Sequence, residues 1–209
     1  WLTMVFVGFF YNYTMAHQFV FWLLLALLGS MVAKNSLTWN AAKSVSVYGM
    51  ISTLFVIVTI GGVSVAWLTG QRFVAEAKFS HAVEMFRANQ PMDDVIATIT
   101  SARSLNPFSD LYVRNLSQAH LIKAAGMMQG GAAQAQVADI QSQVKQAVDI
   151  GIEATEMNPV NVDNWTNLAL VYQNIASFTR GADEFAIKNF LEAHAREPQN
   201  PVFLNEVGK

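Results

Sequence analysis

The sequence predicts an all-α protein in which two transmembrane helices precede an array of repeated helical hairpins. Three observations lead to this fold class. Only 13% of the 209 residues are charged, and this is about half the share that soluble domains carry. The first 71 residues contain two lysines and no acidic residue. All fifteen acidic residues lie between Glu76 and Glu206, and in that region an alanine–proline spacing occurs three times.

This uneven distribution of charge divides the chain into a membrane region, residues 1–72, and a water-soluble helical domain, residues 73–209. The second region carries ten basic and fifteen acidic residues, and its net charge is −5. The pattern excludes a single globular domain, a disordered chain and a basic nucleic-acid binder, so we expect no nucleic-acid partner. The absence of cysteine excludes disulfides, thiolate metal sites and a cysteine nucleophile.

Two uncharged stretches in the membrane region predict spanning helices over residues 15–33 and 45–68. They are nineteen and twenty-four residues long, and a helix needs about 20 apolar residues to cross a bilayer. A signal peptide is disfavoured because neither stretch has a basic segment followed by a short apolar core, and two spans in series do not fit one. The buried core helix of a soluble protein remains the alternative. The loop between the spans contains Lys34 and Lys43 and no acid, which favours its location on the cytoplasmic side, whereas Arg72 and Lys78 after the second span favour the opposite orientation.

The soluble domain contains a repeat that is marked by prolines. An alanine stands five residues before each proline and a bulky apolar residue stands six after it. This is the tetratricopeptide pattern, in which each proline ends the second helix of a hairpin. In chain order the alanine, proline and bulky residue are Ala102, Pro107 and Val113; Ala154, Pro159 and Trp165; and Ala193, Pro198 and Leu204.

The repeat spacings indicate where extra residues are inserted. The prolines are 52 and 39 residues apart, whereas a standard repeat has about 34 residues. The extra residues in the 52-residue spacing predict that both helices of the middle pair, between Pro107 and Pro159, lengthen by two or three turns. Those in the 39-residue spacing predict a longer turn within 176–185. A degenerate earlier unit begins near Phe79. We interpret the chain as a fragment that is truncated at both ends, with further repeats after Lys209.

The inner face of the first helix in each hairpin is the candidate binding groove, because tetratricopeptide superhelices turn this face inward. Counting from Val113 and Trp165 places five polar side chains there, although a solvated helix face is an equally good interpretation. The candidates are Arg114, Gln118, Thr166, Gln173 and Asn174.

The sequence predicts no catalytic residue, metal site or cofactor in this chain. His81, His120 and His194 lack the spacing of metal ligands. Gly130 and Gly131 follow no strand, so they predict no phosphate loop.

The membrane region resembles a known family. The runs FVGFFYNY at residues 6–13 and FWLLLALL at residues 21–28 are similar to the late membrane segment of bacterial O-antigen ligase or polymerase-like proteins, followed by one more span and a tetratricopeptide array. The resemblance implies a parent glycosyltransferase of the bacterial cytoplasmic membrane, with lipid-linked glycans as substrates and the array on the extracytoplasmic side. It also implies that the functional arginines and histidines lie upstream of this chain, so whether the chain belongs to an enzyme stays open.

Two functions therefore remain. In the first, the chain is the C-terminal part of a polytopic glycan ligase or polymerase, and the repeats bind a protein or a glycan acceptor. In the second, it is a non-catalytic, membrane-anchored tetratricopeptide scaffold for envelope assembly. Both readings place the first region in the lipid bilayer.

Overall fold

The computed structural model describes residues 15–32, 45–129 and 137–208. The described residues form helices and the turns between them, which confirms the all-α prediction. The chain divides into two compact units, Trp1–Thr59 and Ile60–Lys209. The helices of the described ranges are, in chain order, α1 Met15–Val32, α2 Val45–Arg87, α3 Met92–Leu105, α4 Asp110–Gln129, α5 Val137–Met157, α6 Val162–Ile175, α7 Ala182–Arg196 and α8 Val202–Val207.

Within the described ranges, α2 is the helix that is long and apolar enough to cross a membrane. Its candidate segment Tyr48–Arg87 reaches a mean hydropathy of 2.1, and no part of the most apolar window is buried. The other predicted span corresponds to α1, whose apolar stretch Trp22–Met31 is shorter than the minimum of about 17 residues for a spanning helix. The prediction of two spanning helices is therefore not confirmed for α1. Residues 1–14, including the run 6–13 used for the family resemblance, and the loop 33–44 lie outside the described residues.

Helix α2 continues far beyond the predicted end at residue 68. The segment after Arg72 contains good helix formers such as Ala75, Glu76 and Lys78, so nothing in it stops the helix. The helix ends where Asn89 adopts a left-handed φ of 53°. There the Gln90 N–H donates to the Met85 carbonyl at 3.0 Å, the six-to-one bond of a Schellman cap, and Pro91 follows.

The three predicted proline turns share one geometry. Helices α3, α5 and α7 each end two residues before the proline. The residue preceding each proline donates its N–H to the carbonyl of the repeated alanine, at 3.1 Å for Ala102, 3.2 Å for Ala154 and 3.1 Å for Ala193. All three alanines are fully buried. Because the alanine side chain is small, a neighbouring helix can pack closely at the point where the helix of the alanine ends. This explains why an alanine stands five residues before each proline.

The short turns fold successive helices into antiparallel neighbours. The C-terminal part of α2 pairs with α3, α4 with α5, and α6 with α7, and α8 packs on α7. The array is thus a tetratricopeptide-like series of helical hairpins within the unit Ile60–Lys209.

The predicted insertions lie where the repeat spacing indicates. Helices α4 and α5 have 20 and 21 described residues, against 14 in α6 and 15 in α7. The middle pair is therefore longer, by somewhat under two turns a helix rather than the expected two or three. The other insertion is the turn 176–181, which ends at Gly181 with φ of 77°.

Two apolar clusters stabilise the array. One contains Phe79 of α2, Ile99 of α3 and Tyr112 of α4, and the other contains Phe190 of α7 and Phe203 of α8. Between them α5 and α6 approach closely at Gly151. A Cβ atom at Gly151 would lie 3.0 Å from Leu168 Cδ1 and 3.1 Å from Ser117 Oγ. A larger residue here would have to displace both neighbouring side chains by a few tenths of an ångström, so glycine suits this helix contact.

Trp165 links the second cluster to its proline turn. Its ring packs against that cluster, its Nε1 donates to the Pro159 carbonyl at 2.8 Å, and the Arg196 guanidinium lies 4.2 Å from the ring centroid. The side chain is half-buried, so its truncation removes less contact than at a fully buried site.

We predict that Trp165→Ala lowers the free energy of unfolding by about 3 kcal/mol, the lower end of the range for aromatic truncations. Trp165→Phe keeps most of the packing and loses the hydrogen bond, so it should cost only about 1 kcal/mol. Urea denaturation of both variants measures the two values. An equal loss of unfolding free energy in the two variants would show that packing of this ring contributes little to stability.

Candidate binding groove

The five candidate groove residues lie on α4 and α6, but the structure does not gather them into one pocket. Gln118 and Asn174 are exposed, and Arg114, Thr166 and Gln173 are half-buried. Gln118 lines an open pocket between α2, α3 and α4.

The pocket beside Gln118 has a volume of about 120 Å³. Apolar side chains form most of its surface, and the amides of Asn115 and Gln118 lie at its polar side. Its walls are the first helices of two successive hairpins, and α3 contributes the floor. The lining residues are Phe79, Ala82, Val83, Phe86, Val95, Ile99, Asn115, Gln118, Ala119 and Ile122.

The sequence signal for most of this pocket is the apolar stripe of α2. Phe79, Val83 and Phe86 recur at the four- and three-residue steps of one helix face. Counting from Val113 and Trp165 misses them, because both positions are set by a preceding proline turn and no such turn precedes the first helix of the first hairpin. Gln118 is found because it lies on the facing side of α4.

Arg114 connects two neighbouring hairpins. Its Nη1 lies 3.3 Å from Asp163 Oδ2 and donates to Asn164 Oδ1 at 3.3 Å. Both partners belong to the first turn of α6. Arg114 is therefore occupied in holding α4 against α6, although part of its side chain faces solvent.

Asp110 accepts hydrogen bonds from the same turn of α6. Its Oδ2 lies 2.8 Å from Asn161 Nδ2 and 2.8 Å from Asn164 Nδ2. Partial burial raises the pKa of Asp110, but hydrogen bonds from Asn161, Asn164 and Asn158, with the charge of Arg114, outweigh it and hold the pKa below its ordinary value of 3.8. Asn164 is fully buried and also donates to the Ala154 and Asn158 carbonyls, so this network ties α4, α5 and α6 together.

The three candidates on α6 make local or inter-helix contacts. Thr166 Oγ1 donates to the Val162 carbonyl at 3.0 Å, and Asn174 Nδ2 donates to the Leu170 carbonyl at 2.7 Å. Gln173 Nε2 donates to Glu206 Oε2 at 3.1 Å. Any ligand on this part of the surface has to compete with these bonds.

Among the described residues, no group of three or more histidine, cysteine, aspartate or glutamate side chains is placed to hold a metal ion. Several of the described acids make contacts between helices instead. Tyr112, whose hydroxyl donates to Glu76 Oε2 at 2.8 Å, is an example. Burial and the neighbouring Glu76 raise the pKa of Tyr112 above its ordinary value of 10.0.

Comparison with known proteins adds little to this description. No family model matches the chain, and no curated protein matches it. Among solved structures, the Arabidopsis OM64 TPR domain is similar to 65% of this chain over 93% of its own length, with 16% identity and a TM-score of 0.49. The tetratricopeptide-like character of the array is seen in its own repeated turns and hairpins.

We predict that Asp110→Asn lowers the free energy of unfolding by about 1–2 kcal/mol at pH 7, because a charged acceptor of two hydrogen bonds is lost. Since the folded-state pKa is depressed, this contribution is present above pH 3.8 and is lost as the pH falls through the folded pKa. Denaturant unfolding between pH 7 and pH 3 should therefore show the two proteins converging in acid. The control is Asp93→Asn, also in the first turn of a helix but exposed, which should change stability by less than about 0.5 kcal/mol.

Proposed function

We propose that the protein is a membrane-anchored helical-repeat scaffold that binds a polypeptide segment in the groove between α2, α3 and α4. The observation that carries the proposal is the open apolar pocket with two side-chain amides beside it. An apolar surface that is open to solvent on an inner helix face favours an apolar ligand, and larger exposed patches of this kind commonly mark interaction sites.

The pocket chemistry favours a polypeptide as ligand. Its volume of about 120 Å³ suits one bulky apolar side chain. The Gln118 amide has no hydrogen-bond partner among the described residues, so it can bond to the peptide backbone of a ligand. Arg114, Thr166, Gln173 and Asn174 extend the proposed contact surface along α4 and α6.

The membrane anchor is proposed from the exposure of α2. Along its uncharged part, large apolar side chains such as Leu54, Phe55 and Ile57 are more than half exposed. Water around so many apolar groups is unfavourable, at about 25 cal/mol for each Å² of apolar surface, whereas lipid chains accept them. We take residues 1–72 as the membrane region, with the loop 34–44 inside a bacterial cell and the array 73–209 outside.

A more specific proposal is that the scaffold forms the C-terminal part of a glycan ligase or polymerase. Its support is the resemblance of residues 6–13 and 21–28 to that family. In this case the groove surface binds a protein partner of the enzyme or a glycan acceptor. A glycan prefers the polar stripe of Arg114, Gln118 and Gln173 to the apolar pocket, so the two kinds of ligand can be told apart by mutation.

The groove is tested with peptides selected from a random phage-displayed library on the full chain in lipid nanodiscs. We expect the selected peptides to carry a bulky apolar residue, and Ile122→Asp to weaken their binding at least tenfold in fluorescence anisotropy. The matched control is Ile187→Asp on α7, since Ile187 is as exposed as Ile122, at 41% against 42%. Alanine at all five candidate positions should also weaken binding. Peptides whose affinity changes with neither set of substitutions would contradict the proposed groove.

The orientation is tested with single cysteines, since the chain has none of its own. Ser142→Cys, at an exposed position of α5, should react with a membrane-impermeant maleimide in intact spheroplasts. Ser36→Cys should react only after lysis, because the loop 34–44 is proposed to lie inside. The reverse labelling pattern would place the array in the cytoplasm and contradict an extracytoplasmic scaffold.

A further inference from the structure

We propose that the proline turns of the array form a second membrane contact, in which Phe108 inserts into the headgroup layer of the bilayer that α2 crosses. This inference rests on the proposed membrane anchoring of α2. It concerns the turns after α3, α5 and α7, which we call the turn edge and define as residues 106–109, 158–161 and 197–201.

The turn edge carries apolar side chains that face solvent. Phe108 is 84% exposed, Val160 is 79% exposed, and Val202, next to the third turn, is 53% exposed. In a water-soluble helical array these are the positions where polar turn residues are usual. Phe108 and Val160 directly follow their helix-ending prolines, and Val202 lies four residues after Pro198, so each turn has an exposed apolar residue in it or beside it.

The topology places this edge on the side from which α2 leaves the array. Successive helices are antiparallel, so the starts of α4, α6 and α8 share one edge with the N-terminal side of the packed part of α2. Burial in α2 begins at Ala75. Before it, the helix runs through the exposed apolar residues between Ile60 and Leu68, which belong to the same compact unit as the array.

Contacts between α2 and α4 fix the level of Phe108 along α2. The rings of Phe79 and Tyr112 lie 4.9 Å apart, and the Tyr112 hydroxyl donates to Glu76 at 2.8 Å. Tyr112 lies in the first turn of α4, and Phe108 lies in the turn directly before that helix. It therefore lies level with the part of α2 between Arg72 and Ala75.

That level corresponds to the headgroup layer. The apolar part of α2 ends at Leu68, and residues 72 to 75 lie about 6 to 10 Å further along the helix. The headgroup layer extends about 5 to 8 Å beyond the hydrocarbon core on each side. Trp67, which is 69% exposed, stands at the inner boundary of this layer, where indole rings are favoured.

Hydrogen bonds hold the turns of the edge together as one surface. Asn161 of the second turn donates to Asp110, next to the first turn, and Arg196, next to the third turn, donates from Nε to the Pro159 carbonyl. The inserted group is apolar and Asp110 is hydrogen-bonded, so the contact needs no anionic lipid. The partner of this edge is therefore the phospholipid surface itself.

The experiment uses the full chain with single nitroxide-labelled cysteines in phosphatidylcholine vesicles. Collisions with oxygen, which concentrates in lipid, are compared with collisions with a water-soluble nickel chelate. We expect the oxygen-to-nickel ratio for Phe108→Cys to exceed that for Phe178→Cys several-fold. Phe178 is the matched control, an exposed phenylalanine in a turn at the opposite edge of the array.

A third label, Ile57→Cys in the middle of the uncharged part of α2, separates the two proposals. A lipid-exposed label at 57 together with a water-exposed label at 108 overturns the second contact and leaves the anchor intact. A label at 108 that neither oxygen nor the nickel chelate reaches shows a protein contact there and also overturns it. A water-exposed label at 57 overturns the anchor and the inference that rests on it.

Discussion

The array depends on one repeated interaction, the bond between a buried alanine carbonyl and the N–H that precedes a helix-ending proline. This bond completes the last turn of the helix, and the proline, which has no N–H, prevents its continuation. Because the alanine side chain is small, the next helix can pack directly against this end. Three copies of the bond, at Ala102, Ala154 and Ala193, set the helix directions, and hence which side chains share the inner face and which share the turn edge.

The polar network around Asp110 supplies hydrogen bonds to an amide side chain that the repeat buries. The first turn of α6 presents Asn164 where α4 has Tyr112 and α8 has Phe203, so an amide is buried at a position that is otherwise aromatic. A buried amide without partners is costly. Asp110 and two backbone carbonyls accept its hydrogens, and Arg114 donates to its oxygen. Arg114, which pattern counting assigns to ligand binding, is thus largely explained by this structural need.

The sequence predicts the proline turns, the long middle pair and a longer turn within 176–185 because each depends on local chemistry that the residues display directly. It does not predict the length of α2, because hydropathy marks the end of an apolar segment and not the end of a helix. The end of α2 is marked by Asn89 and Pro91, a local signal that follows the last apolar residue of the span by some twenty positions. The groove is predicted only at Gln118, since its other wall comes from Phe79 and Phe86, on a helix that no proline turn precedes.

The unbroken course of α2 within the unit Ile60–Lys209 has a mechanical consequence. Its exposed apolar residues from Ile60 and its buried residues from Ala75 belong to one helix, and between them lie only Gly61, Gly62 and Gly70 as flexible positions and no proline. A continuous helix is stiff and keeps its two ends in a fixed orientation, whereas a Gly/Ser-rich linker is flexible and does not. Anchoring through the apolar part would therefore also orient the array, and the groove lined by Phe79 and Phe86 would keep a fixed height above the membrane surface. A partner segment that reaches this groove must then come within a few helical turns of the bilayer, which favours partners that are themselves attached to the membrane.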